Sequence, residues 1–135
     1  MGSRVHTLEL KTREQTQFLD ITSEIRKLVA ESGVMEGTCF VYVPHTTAGI
    51  TINENADPTV AADILMEINK LIPFDDNYRH GEGNSAAHIK ASLFGVSILV
   101  FITGGILQLG TWQGIYFCEF DGPRQRKVLV KIVQE

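Results

Sequence analysis

The chain has 135 residues, of which 44% are hydrophobic and 21% are charged, and its formal net charge at pH 7 is −4. These values are typical of a single globular domain, which we assign to residues 4–135. They exclude broad, sequence-independent nucleic-acid binding, because such binding needs a basic surface. No apolar run approaches the roughly 20 residues that span a bilayer, and the N-terminus has no secretory signal pattern. We therefore expect a cytoplasmic protein without a nucleic-acid or membrane partner.

The surroundings of the two cysteines also indicate a reducing compartment. Cys39 and Cys118 each lie among apolar neighbours, and no Cys-x-x-Cys spacing is present. Both are predicted to be buried free thiols, which persist in a reducing compartment.

The first elements in chain order are two strands and a helix. Residues 4–11 alternate in polarity and predict an edge strand, and residues 18–21 predict its hairpin partner. Thr22 is the expected N-cap of a helix with apolar residues at helical spacing, and Gly33 is expected to end that helix.

Two strands and a long helix follow. Residues 38–43 are rich in β-forming side chains and predict a strand, and residues 50–53 predict a shorter one. Asp57 and Pro58 mark a helix start, since aspartate is a good cap and proline suits the first helical position. An apolar stripe then continues until Pro73, which predicts the clearest helix of the chain.

The second half of the chain predicts one short helix and four strands. Residues 73–84 are polar and predict a loop, after which Ser85 opens the short helix. The strands are predicted at 96–102, 106–109, 111–120 and 127–133. Two main helices and about eight strands in this order predict an α+β fold with a mainly antiparallel sheet.

Three of the four histidines lie in short polar segments between hydrophobic ones. His45 follows Pro44 after a predicted strand, whereas His80 and His88 share the glycine-containing segment 79–88. A neutral imidazole binds metals, transfers protons near neutral pH and contacts phosphates, so these side chains are candidates for all three roles. The eight-residue spacing of His80 and His88 is not the one-turn pairing of a metal-binding helix.

Carboxylate and amide side chains accompany the histidines. Asn53 and Glu54 precede a helix start without being needed as its cap, so they are free to orient a histidine or hold Mg²⁺. Glu82 and Asn84 share the segment of His80, where glycines allow tight backbone turns.

The last polar candidates lie in the C-terminal strands. Gln113 follows the only tryptophan, and its amide suits a heteroaromatic ring or a phosphate. Glu119 and Asp121 have the period-two spacing of one strand face, which allows two carboxylates to share a proton or a metal. Asp121 fits the start of a turn equally well, with Arg124 neutralising it.

With these motifs in hand, the chain resembles the YjbQ family, also called the secondary thiamine-phosphate synthase family, over residues 5–134. The shared motifs are the segments 44–48, 53–57, 80–88, 109–113 and 119–124. The resemblance implies an α+β fold with two main helices and a strongly bent antiparallel sheet. It also implies a homotrimer with polar pockets at the subunit boundaries. The activity that it implies is a weak thiamine-phosphate synthase reaction, which joins a pyrimidine pyrophosphate to a thiazole phosphate.

The resemblance also assigns roles to the motif residues. It implies catalytic roles for His45, His80, His88 and Glu119. Substrate-binding roles go to the other polar motif residues, which are Asn53, Glu54, Glu82, Asn84, Gln113 and Arg124. The departing pyrophosphate needs Mg²⁺ or cationic donors. Because the chain has no glycine-rich phosphate loop, side chains are expected to hold the phosphate, and no nucleotide cofactor is expected.

Two other functions stay open at this point. His45, His80 and His88 together could ligate a divalent metal, zinc before others, because three imidazoles and an open position form a familiar catalytic zinc site. Such a site would act with or without hydrolytic chemistry. Alternatively, the polar segments pair across the subunit boundaries of a ligand-binding trimer that has no turnover.

Overall fold

The computed structural model describes residues 4–135, which form eight strands and three helices. The strands are β1 (Val5–Lys11), β2 (Gln17–Asp20), β3 (Glu36–Tyr42), β4 (Ala48–Glu54), β5 (Ser97–Thr103), β6 (Ile106–Leu107), β7 (Gln113–Glu119) and β8 (Gln125–Gln134). The helices are α1 (Thr22–Ser32), α2 (Pro58–Leu71) and α3 (Ser85–Phe94). None of the three helices has the length and apolarity needed to cross a membrane.

All strand pairs are antiparallel, and their hydrogen bonds divide them into two sheets. The larger sheet has the order β1-β8-β3-β5-β6 and the smaller one the order β2-β7-β4. The α+β class with a curled antiparallel sheet is therefore confirmed. Besides the two main helices there is a third, α3, which begins at Ser85 as predicted and extends over ten residues.

The predicted hairpin between the first two strands is wrong. β1 pairs with β8 at the edge of the larger sheet, whereas β2 pairs with β7 in the smaller one. The cause is packing: the Phe18 ring of β2 lies 5.7 Å from the Phe94 ring and 5.5 Å from the Tyr116 ring, centroid to centroid. Aromatic contacts of this kind dominate core energetics, and a hairpin with β1 would forgo them.

The predicted start of α1 is also wrong by one position. Ile21 occupies the N-cap position, and Thr22 is the first helical residue. The Asp20 carboxylate accepts the Thr22 N–H at 2.9 Å, so the aspartate satisfies one of the free backbone donors at the start of the helix. The Thr22 hydroxyl instead accepts the Ile115 N–H at 2.8 Å and joins the helix to β7.

The other predicted helix boundaries are confirmed. Gly33 ends α1 with a φ of 72°, a left-handed conformation that glycine adopts without strain. The Asp57 carboxylate accepts the Thr59 N–H at 2.9 Å and caps α2, and Pro58 is the first helical residue.

β7 lies at the centre of the packing because both of its faces are buried. Ile115 and Phe117 belong to the larger core, which both sheets and α1 share. Tyr116 and Cys118 belong to a second core beneath α3. Burying one such side chain contributes about 1.5–3 kcal/mol, so β7 holds the two cores together.

Both cysteines are buried free thiols, as predicted. Burial raises the pKa of Cys39 to about 11, and it raises the pKa of Cys118 as well. Neither side chain is a thiolate at neutral pH, so neither is a reactive nucleophile.

Candidate functional site

A buried ion pair lies at the end of β7. Glu119 has an exposed fraction of 0% and Arg126 one of 5%. The Arg126 guanidinium donates to both carboxylate oxygens of Glu119, and its Nε lies 2.8 Å from Oε1. The Thr12 hydroxyl donates to Oε1 at 2.8 Å and the Asp121 N–H to Oε2 at 2.9 Å. Each oxygen of Glu119 thus accepts two hydrogen bonds.

The surroundings of Glu119 keep its carboxylate charged. Burial raises its pKa, but the hydrogen bonds from Arg126, Asp121 and Thr12 outweigh burial and hold the pKa below the usual 4.5. A buried carboxylate with four donors is well suited to orient Arg126. The catalytic role expected of Glu119 stays a prediction.

A cleft of about 520 Å³ opens beside this ion pair. It is lined by the connection between β3 and β4 (42–47), by Val96, and by Arg124 and Arg126. Arg126 Nη2 donates to the Thr47 hydroxyl at 2.8 Å, so the buried guanidinium fixes the connection that carries His45. The end of β3 delivers His45 to a concave polar surface, as the sequence predicted.

One hydrogen bond of the His45 ring shows which ring nitrogen carries the proton. The Lys127 N–H donates to Nε2 at 3.1 Å, so Nε2 is unprotonated and the proton lies on Nδ1. Burial and the charge of Arg126 lower the pKa of His45 below its usual 6.5, which makes the ring neutral at pH 7. No group of residues 4–135 accepts a hydrogen bond from Nδ1, which leaves this N–H available to a ligand.

His80 and His88 lie in a second pocket, of about 400 Å³. Their ring centroids are 5.4 Å apart and the rings are nearly perpendicular, at 86°. Glu82 Oε1 lies 3.9 Å from His80 Nε2, and both side chains are well exposed. The pocket is lined by the two histidines together with Tyr78, Arg79, Ser85 and Ile89.

The carboxylate of Asp121 links the segment 79–88 to Arg124 of the His45 cleft. Its Oδ2 accepts Asn84 Nδ2 at 2.9 Å and Arg124 Nη2 at 3.1 Å. Arg124 Nε also donates to the Asp121 carbonyl at 2.9 Å. Asp121 therefore opens the turn before β8 with Arg124 as its counter-ion, which is one of the two readings that the sequence allowed. The side-chain oxygen Oδ1 of Asn84 is buried without a partner among the described residues.

Three other predicted site residues lie at the far end of β7. Glu54 pairs with Gln113, whereas Glu119 is six residues further along the same strand, about 20 Å away at 3.3 Å per residue. Asn53 Oδ1 accepts the Glu54 N–H at 2.7 Å, and Gln113 Oε1 accepts the Gly110 N–H at 2.8 Å. The Gln113 amide thus stabilises the turn before β7, whereas the Asn53 contact stays within β4.

Within one chain, the predicted site residues thus form three groups rather than one. His45 and Arg124 line the first pocket, His80 and His88 the second, and the third group lies at the far end of β7. The described part of the chain holds no cluster of three metal-ligating side chains. A catalytic zinc site needs three protein ligands, so the three histidines of a single subunit do not fit one.

The sequence reasoning missed the importance of Arg126 and of the Thr12 hydroxyl that donates to Glu119. A signal was present, because Arg126 precedes Val128, Val130 and Ile132 at period two on the buried face of β8. A charged residue on a buried face requires a buried partner. That partner is Glu119. The other contacts of the pair were not readable, since Thr47, which accepts from Arg126, and Thr12, which donates to Glu119, come from distant segments.

Comparison with known proteins identifies the family of the chain. Residues 6–135 match the family model described as UPF0047 protein YjbQ-like, and the chain belongs to this YjbQ (UPF0047) family. It is 50% identical to the UPF0047 protein YugU of Bacillus subtilis over 128 residues, which are 94% of this chain and 97% of that protein. It is 54% identical to a UPF0047 protein of Methanocaldococcus jannaschii over 125 residues, 93% of this chain and 91% of that protein.

Solved structures show the same fold. A YjbQ/UPF0047 family protein of Clostridium acetobutylicum has a TM-score of 0.93 at 59% identity, covering 95% of this chain and 99% of that one. A protein of unknown function from Sulfolobus solfataricus has a TM-score of 0.94 at 31% identity, and the match covers 99% of both chains. The fold is therefore retained at low sequence identity.

Proposed function

We propose that the protein is an enzyme that binds a phosphorylated small molecule in the His45 cleft, with thiamine-phosphate synthesis as the candidate reaction. The observation that carries this proposal is the placement of a neutral imidazole and the Arg124 guanidinium around one cleft. Arginine recognises phosphate oxygens through its planar set of donors. The Nδ1–H of His45 adds a fixed donor for the same group.

The candidate reaction makes demands that these residues can meet. The thiazole nitrogen forms a bond to the methylene carbon of the pyrimidine, and the bond from that carbon to the pyrophosphate oxygen breaks. The leaving group takes the electron pair, so stabilising its charge is the main task of the site. Arg124 and the His45 N–H would supply this stabilisation, and a Mg²⁺ ion bound by the pyrophosphate itself would neutralise further charge.

The test is release of pyrophosphate by the purified native protein, given both substrates and Mg²⁺. Turnover that requires both substrates would support the synthase reaction. Absence of turnover, with calorimetric binding of pyrophosphate retained, would favour a ligand-binding trimer without catalysis. Absence of both would contradict the proposal that the His45 cleft takes a phosphorylated ligand.

A divalent-metal site is the second candidate. The adjacent rings of His80 and His88 favour it, with Glu82 close to His80. Two imidazoles leave a zinc site one ligand short, and His45 of a neighbouring subunit would complete the three-histidine set.

We expect about one zinc per subunit if this second candidate is right, because three protein ligands hold zinc stoichiometrically. Elemental mass spectrometry of protein purified without a histidine tag measures this content. His88→Ala should lose the metal, and His6→Ala should keep it. Metal-free wild-type protein whose stability does not change on adding Zn²⁺ would contradict this candidate.

We also propose that the protein is a homotrimer. Apolar side chains occupy the outer face of the larger sheet, where Phe40 of β3 lies opposite Leu99 of β5. Phe101 on the same face is 64% exposed, and Tyr42 belongs both to this face and to the His45 cleft. Exposed apolar surface of this kind is typical of an interface between subunits, and here such an interface would border the cleft.

Phe101→Asp is expected to dissociate the trimer, because a carboxylate buried at an apolar interface loses its hydration without gaining a partner. Sedimentation velocity measures the change. Leu71→Asp, at an exposed position near the end of α2, serves as the matched control and should leave the assembly intact. A Phe101→Asp protein that sediments like the wild type would place the interface elsewhere.

We propose a cytoplasmic location as well. The two buried thiols support it, because Cys39 and Cys118 remain unpaired, and free cysteines are typical of reducing compartments. Detection of the protein in a periplasmic or secreted fraction would contradict this proposal.

A further inference from the structure

Lys90 is an unusual residue, because it is completely buried. It lies on the inner face of α3 with Ala86, Ala87 and Ala91, and its exposed fraction is 0%. Lysine is almost never fully buried without a paired charge, yet no ion pair among residues 4–135 includes Lys90. Burial lowers the pKa of its amine accordingly.

Two side chains surround the Lys90 ammonium. Nζ donates to Asn69 Oδ1 on α2 at 2.6 Å. It also lies 4.5 Å from the centroid of the Phe74 ring, within the range of a cation–π interaction. Asn69 Nδ2 in turn donates to the Thr16 hydroxyl at 3.0 Å. Lys90 therefore joins α3 to α2 and to the start of the segment 73–84.

The segment 73–84 contains no helix or strand and carries Arg79, His80 and Glu82. At its C-terminal end it is attached through Asn84, which donates to Asp121. Near its N-terminal end, the contact of Phe74 with Lys90 is the corresponding attachment. The position of His80 relative to His88 thus depends on where this segment rests on α3.

We infer that Lys90 is a positioning residue: its ammonium, held between Phe74 and Asn69, fixes the segment 73–84 against α3 and thereby sets the His80 ring against His88. The inference concerns the shape of this pocket, and it is independent of the reaction proposed above. A lysine that only filled space in the core would have no such effect on a segment outside α3.

The variant Lys90→Met tests this role because it keeps the length of the side chain and removes the charge. The substitution removes a buried charge, and the half-buried Asn69 that loses its donor can bind water instead, so the thermal unfolding midpoint should change little. The backbone N–H order parameters of residues 75–83 should nevertheless fall below about 0.6, the range of a flexible segment. The nuclear Overhauser contacts between the His80 and His88 rings should weaken. Lys70→Met, at an exposed lysine of α2, is the matched control and should change neither measurement.

A second variant keeps the inference testable if Lys90→Met does not fold. Phe74→Leu retains the lysine but removes the aromatic face, and it should lower the order parameters of 75–83 in the same way. In a folded double variant, Lys90→Met should add little to the effect of Phe74→Leu, since both remove one contact. Wild-type order parameters in 75–83, together with wild-type ring contacts, in either folded single variant would overturn the inference.

Discussion

Replacing Arg126 by methionine is expected to lower the free energy of unfolding by about 3–5 kcal/mol, because the substitution leaves a buried carboxylate without its counter-ion. Glu119 is completely buried and receives two of its four hydrogen bonds from Arg126. The Thr47 side chain loses a donor as well. Equilibrium unfolding in urea at pH 7 measures the loss.

Arg124→Met is the matched control for Arg126→Met. Arg124 also pairs with a carboxylate, but its side chain is 48% exposed, and exposed ion pairs contribute about 0–1 kcal/mol. The double variant Arg126→Met with Glu119→Leu should recover part of the loss, since no unpaired charge remains buried. If Arg126→Met were as stable as Arg124→Met, the ion pair would not be the main support of this end of β7.

The same ion pair determines how stability depends on acidity. Because the pKa of Glu119 is lower in the folded protein than its usual 4.5, the folded state binds fewer protons than the unfolded state in this range. The stabilisation from Glu119 is therefore fully present above about pH 4.5 and is lost as the pH falls through the folded pKa. In Arg126→Met, burial without the counter-ion raises the pKa of Glu119, so its carboxylate takes up a proton already above pH 4.5. The deficit of the variant should therefore begin to shrink above pH 4.5 and continue to shrink as the pH falls further.

His45→Ala is expected to reduce kcat/KM for the proposed reaction by about 10²–10⁴-fold, the range typical of a lost acid–base or charge-stabilising group. The variant removes the only imidazole of the cleft and leaves the buried ion pair in place. Steady-state measurement of pyrophosphate release, in the assay described above, provides the comparison.

Two further results would define the role of His45. His6→Ala, which removes a histidine of β1 outside both pockets, should retain wild-type turnover. If the neutral ring is the active form, the rate should fall as the pH drops through the pKa of His45, which lies below 6.5. Wild-type turnover in His45→Ala would show that the reaction does not take place in this cleft.

Much of the fold could be predicted from local sequence. Asp57 and Pro58 begin α2 and Gly33 ends α1, as expected from the capping preferences of these residues. The alternation of β8 was also readable, since Val128 and Val130 are buried as predicted. These signals are reliable because each depends on residues only a few positions apart in the chain.

The candidate site was predictable only in part. His45 was expected at the end of a strand and lies there, and His80 and His88 were expected to be near each other and are. That His45 lies in a separate pocket was not readable, because sequence spacing does not determine distance across a fold. The surroundings of Glu119 were missed for the same reason, since its partner Thr12 is 107 residues away in the chain.

The family, the α+β class and most helix boundaries could be inferred from the amino-acid sequence alone, as could three histidines that line pockets. Which strands pair, which charges are buried and which histidines meet depended on the folded chain. β2 joins β7 because Phe18 packs against Tyr116 and Phe94. Arg126 and Lys90 become interior cations because the faces that carry them are covered by distant segments. Local preferences act within a few residues, whereas burial depends on contacts that form only when the whole chain has folded.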